Sequence, residues 1–409
     1  MTKSDDKRVP VLRFKGFTDD WEQRKLGDVL SKFDYGLNSA SSDYDGKNKY
    51  LRITDIDEQT HRFNLDNLTS PKVDLKNKDN YILHPGDIVF ARTGASVGKT
   101  YKYREDDGRV YFAGFLIRGR INKNFDTSFI FDTTLLPKYS NFVKITSIRS
   151  GQPGINSEEY KKYVINIPTI NEQKYISKLI TNLEELITLQ QRKVKLLELF
   201  RKAIHNNIFP EYGKETPVIR HKKFTNKWNV VKFNTIYKKS TEKNDLTYGE
   251  DKIISVAKMY FKQEKNKSSQ DYLKTYNVFK TGDIAFEGNR SKGFSHGRFV
   301  QNTIGNGIVS HVFDVFTPIK KDNLKYWKYA IHNEHVMKYV LVKSTTKATM
   351  MNNLSSKDFL KQSIAVPSSE EMNTIAKILQ DLDNQINITN NKINYLQNMK
   401  KFLLQNMFI

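Results

Sequence analysis

Residues 168–209 read PTINEQKYISKLITNLEELITLQQRKVKLLELFRKAIHNNIF, and residues 367–408 read PSSEEMNTIAKILQDLDNQINITNNKINYLQNMKKFLLQNMF. A shift of 199 positions, Pro168 to Pro367, aligns the two without a gap and matches Glu172, Ile176, Lys178, Leu183, Ile187, Lys193, Leu197, Lys202, Asn207 and Phe209 with identical residues. In the first copy apolar residues step by four and three through Ile176, Ile180, Leu183, Ile187, Val194, Leu197, Ile204 and Ile208. The second copy follows with Ile375, Leu379, Leu382, Ile386, Ile393, Leu396, Leu403 and Met407. This is an a/d seam sustained over about five heptads, which predicts a coiled-coil helix rather than an ordinary surface helix. The seam is interrupted at the same two steps in both copies, Gln190/Thr389 and Arg201/Lys400. Polar seam residues weaken such a helix but fix its register. At ~1.5 Å per residue each helix is roughly 55 Å long.

The repeat extends outward. Phe17-Thr18 and Trp21 return as Phe224-Thr225 and Trp228, and Gly86-Asp87-Ile88 returns as Gly282-Asp283-Ile284. These shifts differ from 199, so insertions and deletions separate the halves outside the helices. A tandem repeat of this length predicts two similar domains. Connectivity then makes the helices antiparallel if they pair within the chain; pairing with another subunit is the alternative. The expected order is a first globular domain over 9–168, a long helix over 169–209, a Pro- and Gly-marked linker over 210–217, a second domain over 218–367 and a second helix over 368–409.

Both globular segments mix short strands with turns. Strands are expected at 87–92, 110–113, 283–287 and 308–313, and helices near 128–136 and 324–341. The fold class is therefore α+β: two pseudo-symmetric mixed domains separated by two long antiparallel helices that form a coiled coil.

Bulk composition narrows the function. The 409 residues carry a formal net charge of +22, with 38% hydrophobic and 12% aromatic residues and no cysteine. Real cores are affordable, and disulfide frameworks, thiolate catalysis and cysteine-ligated zinc are excluded. No apolar run approaches ~20 residues and the start has no apolar signal region, so a cytoplasmic chain with no membrane association is expected. Lys and Arg exceed Asp and Glu by 35 to 27 in residues 1–209 and by 32 to 18 in 210–409. Both halves are basic, which points to a polyanion, double-stranded DNA first. The alternative is that AT-rich coding alone enriches lysine.

The motif Gly94-Ala-Ser-Val-Gly98-Lys99-Thr100 has three residues between its glycines where a nucleotide-binding P-loop has four. Its second feature, a following helix, is also absent from the pattern. As a Gly-rich loop at a strand end, it offers Arg92, Thr93, Ser96 and Lys99 to DNA bases or phosphates; an ordinary structural turn is the alternative. The corresponding stretch of the second half offers Asn289, Arg290, Ser291, Lys292 and Arg298 in a different order. Arg149 and Gln152, and Lys347 in the second half, lie in short polar segments placed between each domain and its helix. His332-Asn-Glu334-His335 lacks a third metal ligand, and no metal site is expected. Glu172, at a helix start, reads as a capping residue. No Pro-Pro pair occurs, so the amino-methyltransferase loop is missing, and no catalytic constellation is found.

Taken together, Phe17-Thr18-x-x-Trp21 with its second copy, Leu83-His-Pro-Gly-Asp-Ile-Val-Phe-Ala-Arg-Thr-Gly94, and Ile167-Pro-Thr-Ile-Asn-Glu-Gln173 leading into Gln191–Glu198 and Phe200–Ile204 resemble specificity subunits of type I restriction–modification systems. The second copy departs where Met372 follows Glu371 and where Ile393-Asn-Tyr-Leu396 replaces the basic run. The resemblance implies two target-recognition domains reading a bipartite DNA site and helices that space them. It further implies docking of two methyltransferase subunits and of restriction–translocase subunits. S-adenosylmethionine, ATP and Mg²⁺ would bind those partners, with no cofactor on this chain. The rival expectation is a stand-alone DNA-binding regulator. The base sequence read and its spacer do not follow from these residues.

Overall fold

The structure is a computed structural model that describes residues 9–262, 269–291, 293–347 and 351–409. Its nine described helices are α1 (Thr127–Thr133), α2 (Pro137–Thr146), α3 (Ser157–Tyr160), α4 (Ile170–Asn207), α5 (Gln270–Lys274), α6 (Leu324–Ala330), α7 (Glu334–Ser344), α8 (Ser356–Lys361) and α9 (Ser369–Asn406). The chain forms two units: unit 1 is Met1–Gln191 with Asn391–Ile409, and unit 2 is Arg192–Asn390. Each unit thus combines one mixed domain with a stretch of both long helices.

Unit 1 is built on a four-stranded antiparallel sheet in the order Leu30–Tyr35, Leu116–Ile121, Asp87–Ala91, Thr100–Lys102. Asp87–Ala91 is buried at all five positions because both faces of the sheet are covered. Ile88 and Phe90 face a core with Ile117, Phe129 and Ile176; Val89 and Ala91 face a second core with Leu51, Tyr101 and Phe112. This is the two-residue alternation of a strand. Unit 2 repeats the sheet as Tyr237–Lys239, Val315–Pro318, Ile284–Glu287, Arg298–Gln301. Ile284 and Phe286 again enter one core and Ala285 the other.

The repeated Gly-Asp-Ile has a local cause. Gly86 and Gly282 turn the chain at φ +94° and +93°, where a side chain would be strained. Asp87 accepts from His84 N at 2.8 Å and Asp283 from Lys280 N at 2.8 Å, closing each turn. Each mixed domain is closed by a short strand pair: Glu22–Lys25 lies antiparallel to Val164–Ile167, and Asn229–Lys232 to Ser363–Val366.

The long helices α4 and α9 each span 38 residues, and their bounds differ by the shift of the sequence repeat. In unit 1, Ile176, Ile180, Leu183 and Ile187 share a core with Leu396, Leu403, Leu404, Met407 and Phe408. Asn166 donates to Ile409 O while Glu184 meets Lys400, so α9 runs antiparallel to α4. In unit 2, Ile208 and Phe209 share a core with Met372, Ile375, Ala376 and Leu379, and Arg201 pairs with Asp383. The seam residues Val194, Leu197, Leu382 and Ile386 are half-buried, and Ile393 is buried. Both basic interruptions of the seam therefore find an acid on the opposite helix. Under the repeat, Glu184 corresponds to Asp383 and Arg201 to Lys400, so the two ion pairs are one pair written twice with the helices exchanged.

Two further repeats lock each domain to the helices. Arg13 forks onto Glu172 at 2.7 and 2.8 Å, and Arg220 onto Glu371 at the same distances. Glu172 is thus more than a capping residue: its fully buried carboxylate is neutralised by a bidentate guanidinium. Trp21 packs edge-on against Phe408, and Trp228 shares its core with Phe209, so each tryptophan shares a core with the phenylalanine that follows a long helix.

Two expected elements are corrected. The helix expected over 324–341 is broken at 331–333, because Asn333 accepts from His335 N and Val336 N and starts α7 afresh. The strand expected over 308–313 spans only Gly307–Val309; a turn closed by Phe313 N to Ser310 O precedes the next strand.

Candidate nucleic-acid interface

In unit 1 the strands Asp87–Ala91 and Thr100–Lys102 form a hairpin whose loop carries Arg92, Thr93, Ser96 and Lys99. The loop returns into a strand, not a helix, so it lacks the helix N-terminus of a phosphate-binding P-loop. Its base sits on α2: Tyr139 donates to Gly98 O at 2.9 Å, and a Cβ on Gly98 (φ +85°) would lie 2.5 Å from Val143. Its crown is tied to the segment 147–155. Gly94 N donates to Pro153 O at 3.0 Å, Ile155 N to Arg92 O at 2.9 Å, and Thr93 bridges to Gly154. The exposed Gln152 approaches Gly94, where a Cβ would meet its Nε2 at 3.1 Å. Arg92, Thr93 and Gln152, read separately from sequence, thus form one cluster, with Ser96 half-exposed on the same loop.

The candidate cations of unit 1 are not equivalent. Lys99 is mostly buried, donating to Ile56 O at 3.1 Å and to Glu58 at 3.3 Å. Arg149 donates to both oxygens of Glu159 at 2.6 Å and to the carbonyls of Thr146 and Ile148. Glu159 also completes the capping box of α3, so Arg149 is committed to structure. The Arg92 guanidinium lies over the Tyr35 ring, 5.0 Å from its centroid, and among the described residues takes no carboxylate or carbonyl partner.

Unit 2 presents the same frame with other contents. Its hairpin, Ile284–Glu287 with Arg298–Gln301, carries exposed Asn289, Arg290 and Ser291; Lys292 lies outside the described residues. Gly288 presses on Asn352, whose N donates to Gly288 O at 2.9 Å. Arg290 Nε donates to Asn352 Oδ1 at 3.3 Å. Arg298 is neutralised by Glu287 at 2.6 Å, donates to Ala257 O and lies over Phe294. Lys347 is exposed on the strand Thr345–Lys347, opposite Asn352.

The segments around Arg149 and Lys347 are therefore misplaced by sequence reasoning. A further helix and a strand separate each from its long helix, namely α3 with Val164–Ile167 and α8 with Ser363–Val366. Both segments instead back the hairpin loops. His332 lies in the helix break and His335 in the first turn of α7, with His332 bonded to Phe299 O at 3.1 Å and burial holding its pKa below the ordinary value. Among the described residues no group of three or more His, Cys, Asp or Glu is placed to hold a metal, and no described helix is long and apolar enough to cross a membrane. Tyr35 and Phe115 were missed. Both are exposed, at 42% and 62%, and only the fold brings them to Arg92.

A family model for the type I restriction modification DNA specificity domain matches residues 18–199 and 226–398. Among curated proteins, the type I restriction enzyme MjaVIII specificity subunit of Methanocaldococcus jannaschii is 21% identical over 94% of this chain and 91% of its own length. The putative MjaX specificity subunit of the same organism is 26% identical over 50% of this chain and 48% of its own. Among solved structures, the type I restriction–modification S subunit from M. genitalium superimposes with a TM-score of 0.59 at 13% identity, covering 98% of this chain and 99% of that one. A chain solved in a study of complex assembly and conformational transition of the type I R-M system gives 0.54 at 15% identity, covering 96% and 98%.

Proposed function

Because the chain belongs to the type I restriction–modification DNA specificity family, we propose that it is the non-catalytic DNA reader of such a complex, each unit recognising one half of a bipartite site. The observation that carries this reading is an equal scaffold with unequal loops. The sheets, the Gly-Asp-Ile turns, the Arg–Glu forks and the helix seam recur, whereas the hairpin loops at 92–99 and 288–297 share no order of residues. One frame holding two different sets of side chains suits two different base sequences. The net charge of +22 suits the phosphate backbone between and around them.

The long helices set the spacing of the two readers and dock two methyltransferase subunits, with restriction–translocase subunits joining for cleavage. Adenine methylation, ATP hydrolysis and cutting belong to those partners, which bind S-adenosylmethionine, ATP and Mg²⁺. The site of action is the cytoplasm, where the DNA is.

Exchanging residues 9–168 for those of a relative with another specificity tests the reading in the assembled complex. Methylome sequencing is expected to show one half-site changed and the other kept, with the gap unaltered. A chimera that changes both halves would overturn it.

A further inference from the structure

Beside the hairpin loop of unit 1 lies a cleft of about 710 Å3, lined among others by Tyr35, Asn38, Arg52, Thr54, Arg92 and Phe115. Resting on the reading of unit 1 as a DNA-recognition domain, we propose that this cleft is its base-contacting site, that it takes a guanine edge in the major groove, and that Tyr35 is the positioning residue that makes Arg92 selective.

Four observations converge. Arg92 is fixed along its backbone, its N donating to Phe115 O at 3.0 Å and its O accepting from Ile155 N at 2.9 Å. Its side chain lies on Tyr35, and that ring is itself held: Ser157 N donates to the Tyr35 hydroxyl at 3.3 Å, and the hydroxyl reaches Ser157 Oγ at 3.3 Å. Ser157 follows Asn156, the N-cap of α3, so the start of a helix sets the ring. The other arginine of the cleft, Arg52, is neutralised by Asp55 through two bonds of 2.9 and 2.7 Å. Arg92 is therefore the cation of this lining that has no counterion among the described residues.

The Tyr35 ring under the guanidinium favours a flat base edge over a phosphate. The N–H groups of Arg92, Gly94, Val97, Gly98 and Lys99 donate to carbonyls of this chain, which holds the loop on its frame. Arg92 brings to the cleft a planar guanidinium resting on the exposed Tyr35 ring. Two adjacent acceptors match that fork, and the O6/N7 edge of guanine presents them. At the position equivalent to Arg92, unit 2 has Gly288, while Arg290 and Arg298 have partners of their own. The guanine preference belongs to the first domain alone.

The test uses the full chain assembled with its methyltransferase subunits, after its site has been defined by methylome sequencing. DNA in which first-half guanines are replaced singly by 7-deazaguanine, which lacks only N7, is compared with parent DNA. The parent complex is expected to lose about tenfold or more in affinity at one position. Arg92→Met should bind both DNAs alike, Tyr35→Ala should shrink the ratio, and Tyr35→Phe, which keeps the ring, should preserve most of it. A ratio unchanged in Arg92→Met overturns the proposal, as does a first half-site without guanine. Equal weakening on every DNA would make Arg92 a phosphate contact instead. If the parent complex prefers no sequence at all, it is the DNA-reader assignment itself that fails.

Discussion

Replacing Glu184 with glutamine removes one negative charge from the contact of α4 with α9 in unit 1. The carboxylate is 9% exposed; it accepts from Lys400 at 2.8 Å and from Arg104 at 3.1 Å. The amide keeps the shape but leaves Lys400, itself 17% exposed, without a counterion. Breaking a buried pair from one side costs about 3–5 kcal/mol, and the partial exposure of Lys400 and Arg104 lowers that to about 2–3 kcal/mol. For a unit of this size the melting temperature falls by about 4–12 °C. Lys400→Gln costs less, because Arg104 still serves Glu184. The double variant should fall short of the sum of the two by about 1–2 kcal/mol. Thermal melts of the full chain give the total, and hydrogen exchange locates the loss in residues 170–191 and 391–409. The dependence on pH adds a second check. Burial raises the Glu184 carboxyl, but Lys400, Lys102 and Arg104 together bring it below its ordinary value. A depressed folded pKa gives stability that is complete at neutral pH and lost as pH falls through it, so parent and Glu184→Gln should converge as pH falls below the ordinary glutamate range. Additive single effects, or a constant gap down to acid pH, would refute the pairing.

The forks of the two units should behave alike: Arg13→Met and Arg220→Met each strand a buried glutamate and should cost about 3–5 kcal/mol by chemical denaturation, while effects differing severalfold would deny their equivalence. Burial lowers the His205 pKa to about 4, so its neutral form stabilises unit 2 above about pH 6.5 and that share, about 2–3 kcal/mol, is lost as pH falls towards 4; His205→Gln should flatten this stretch of a pH–stability curve. Gly288→Ala puts a Cβ 2.2 Å from Asn352 O, a backbone atom that cannot rotate away, and should cost about 2 kcal/mol or more in a denaturation series. Gly98→Ala instead meets Val143 methyl groups, so adding Val143→Ala should restore part of the loss.

The helices were legible because a seam is a local pattern: Ile176, Ile180 and Leu183 announce their face within one heptad. The acids that answer Arg201 and Lys400 were not, since Asp383 and Glu184 sit on the other helix. Arg13 and Glu172 lie 159 residues apart and no local pattern joins them. The break before α7 was hidden by apolar residues on both sides of Asn333, a helix cap in the middle of a run that reads as one helix. At the candidate interface, glycines and charges marked the hairpin loops in the sequence. It could not tell which charges were free, because Glu58, Glu159 and Glu287 come from other elements or from a neighbouring strand. That is why Lys99, Arg149 and Arg298 looked equal to Arg92.

The closing strand pairs carry a consequence for heredity. Glu22 stands opposite Ile167, and Asn229 opposite Val366, so the two ends of each mixed domain lie side by side. A cassette whose two ends lie side by side can be replaced by recombination at two short stretches of gene. The pairing there runs through backbone atoms, which every incoming cassette supplies. Under the proposed reading, a crossover at each of the two stretches would give a lineage a new half of its recognition sequence while the residues pairing one long helix with the other stay unchanged.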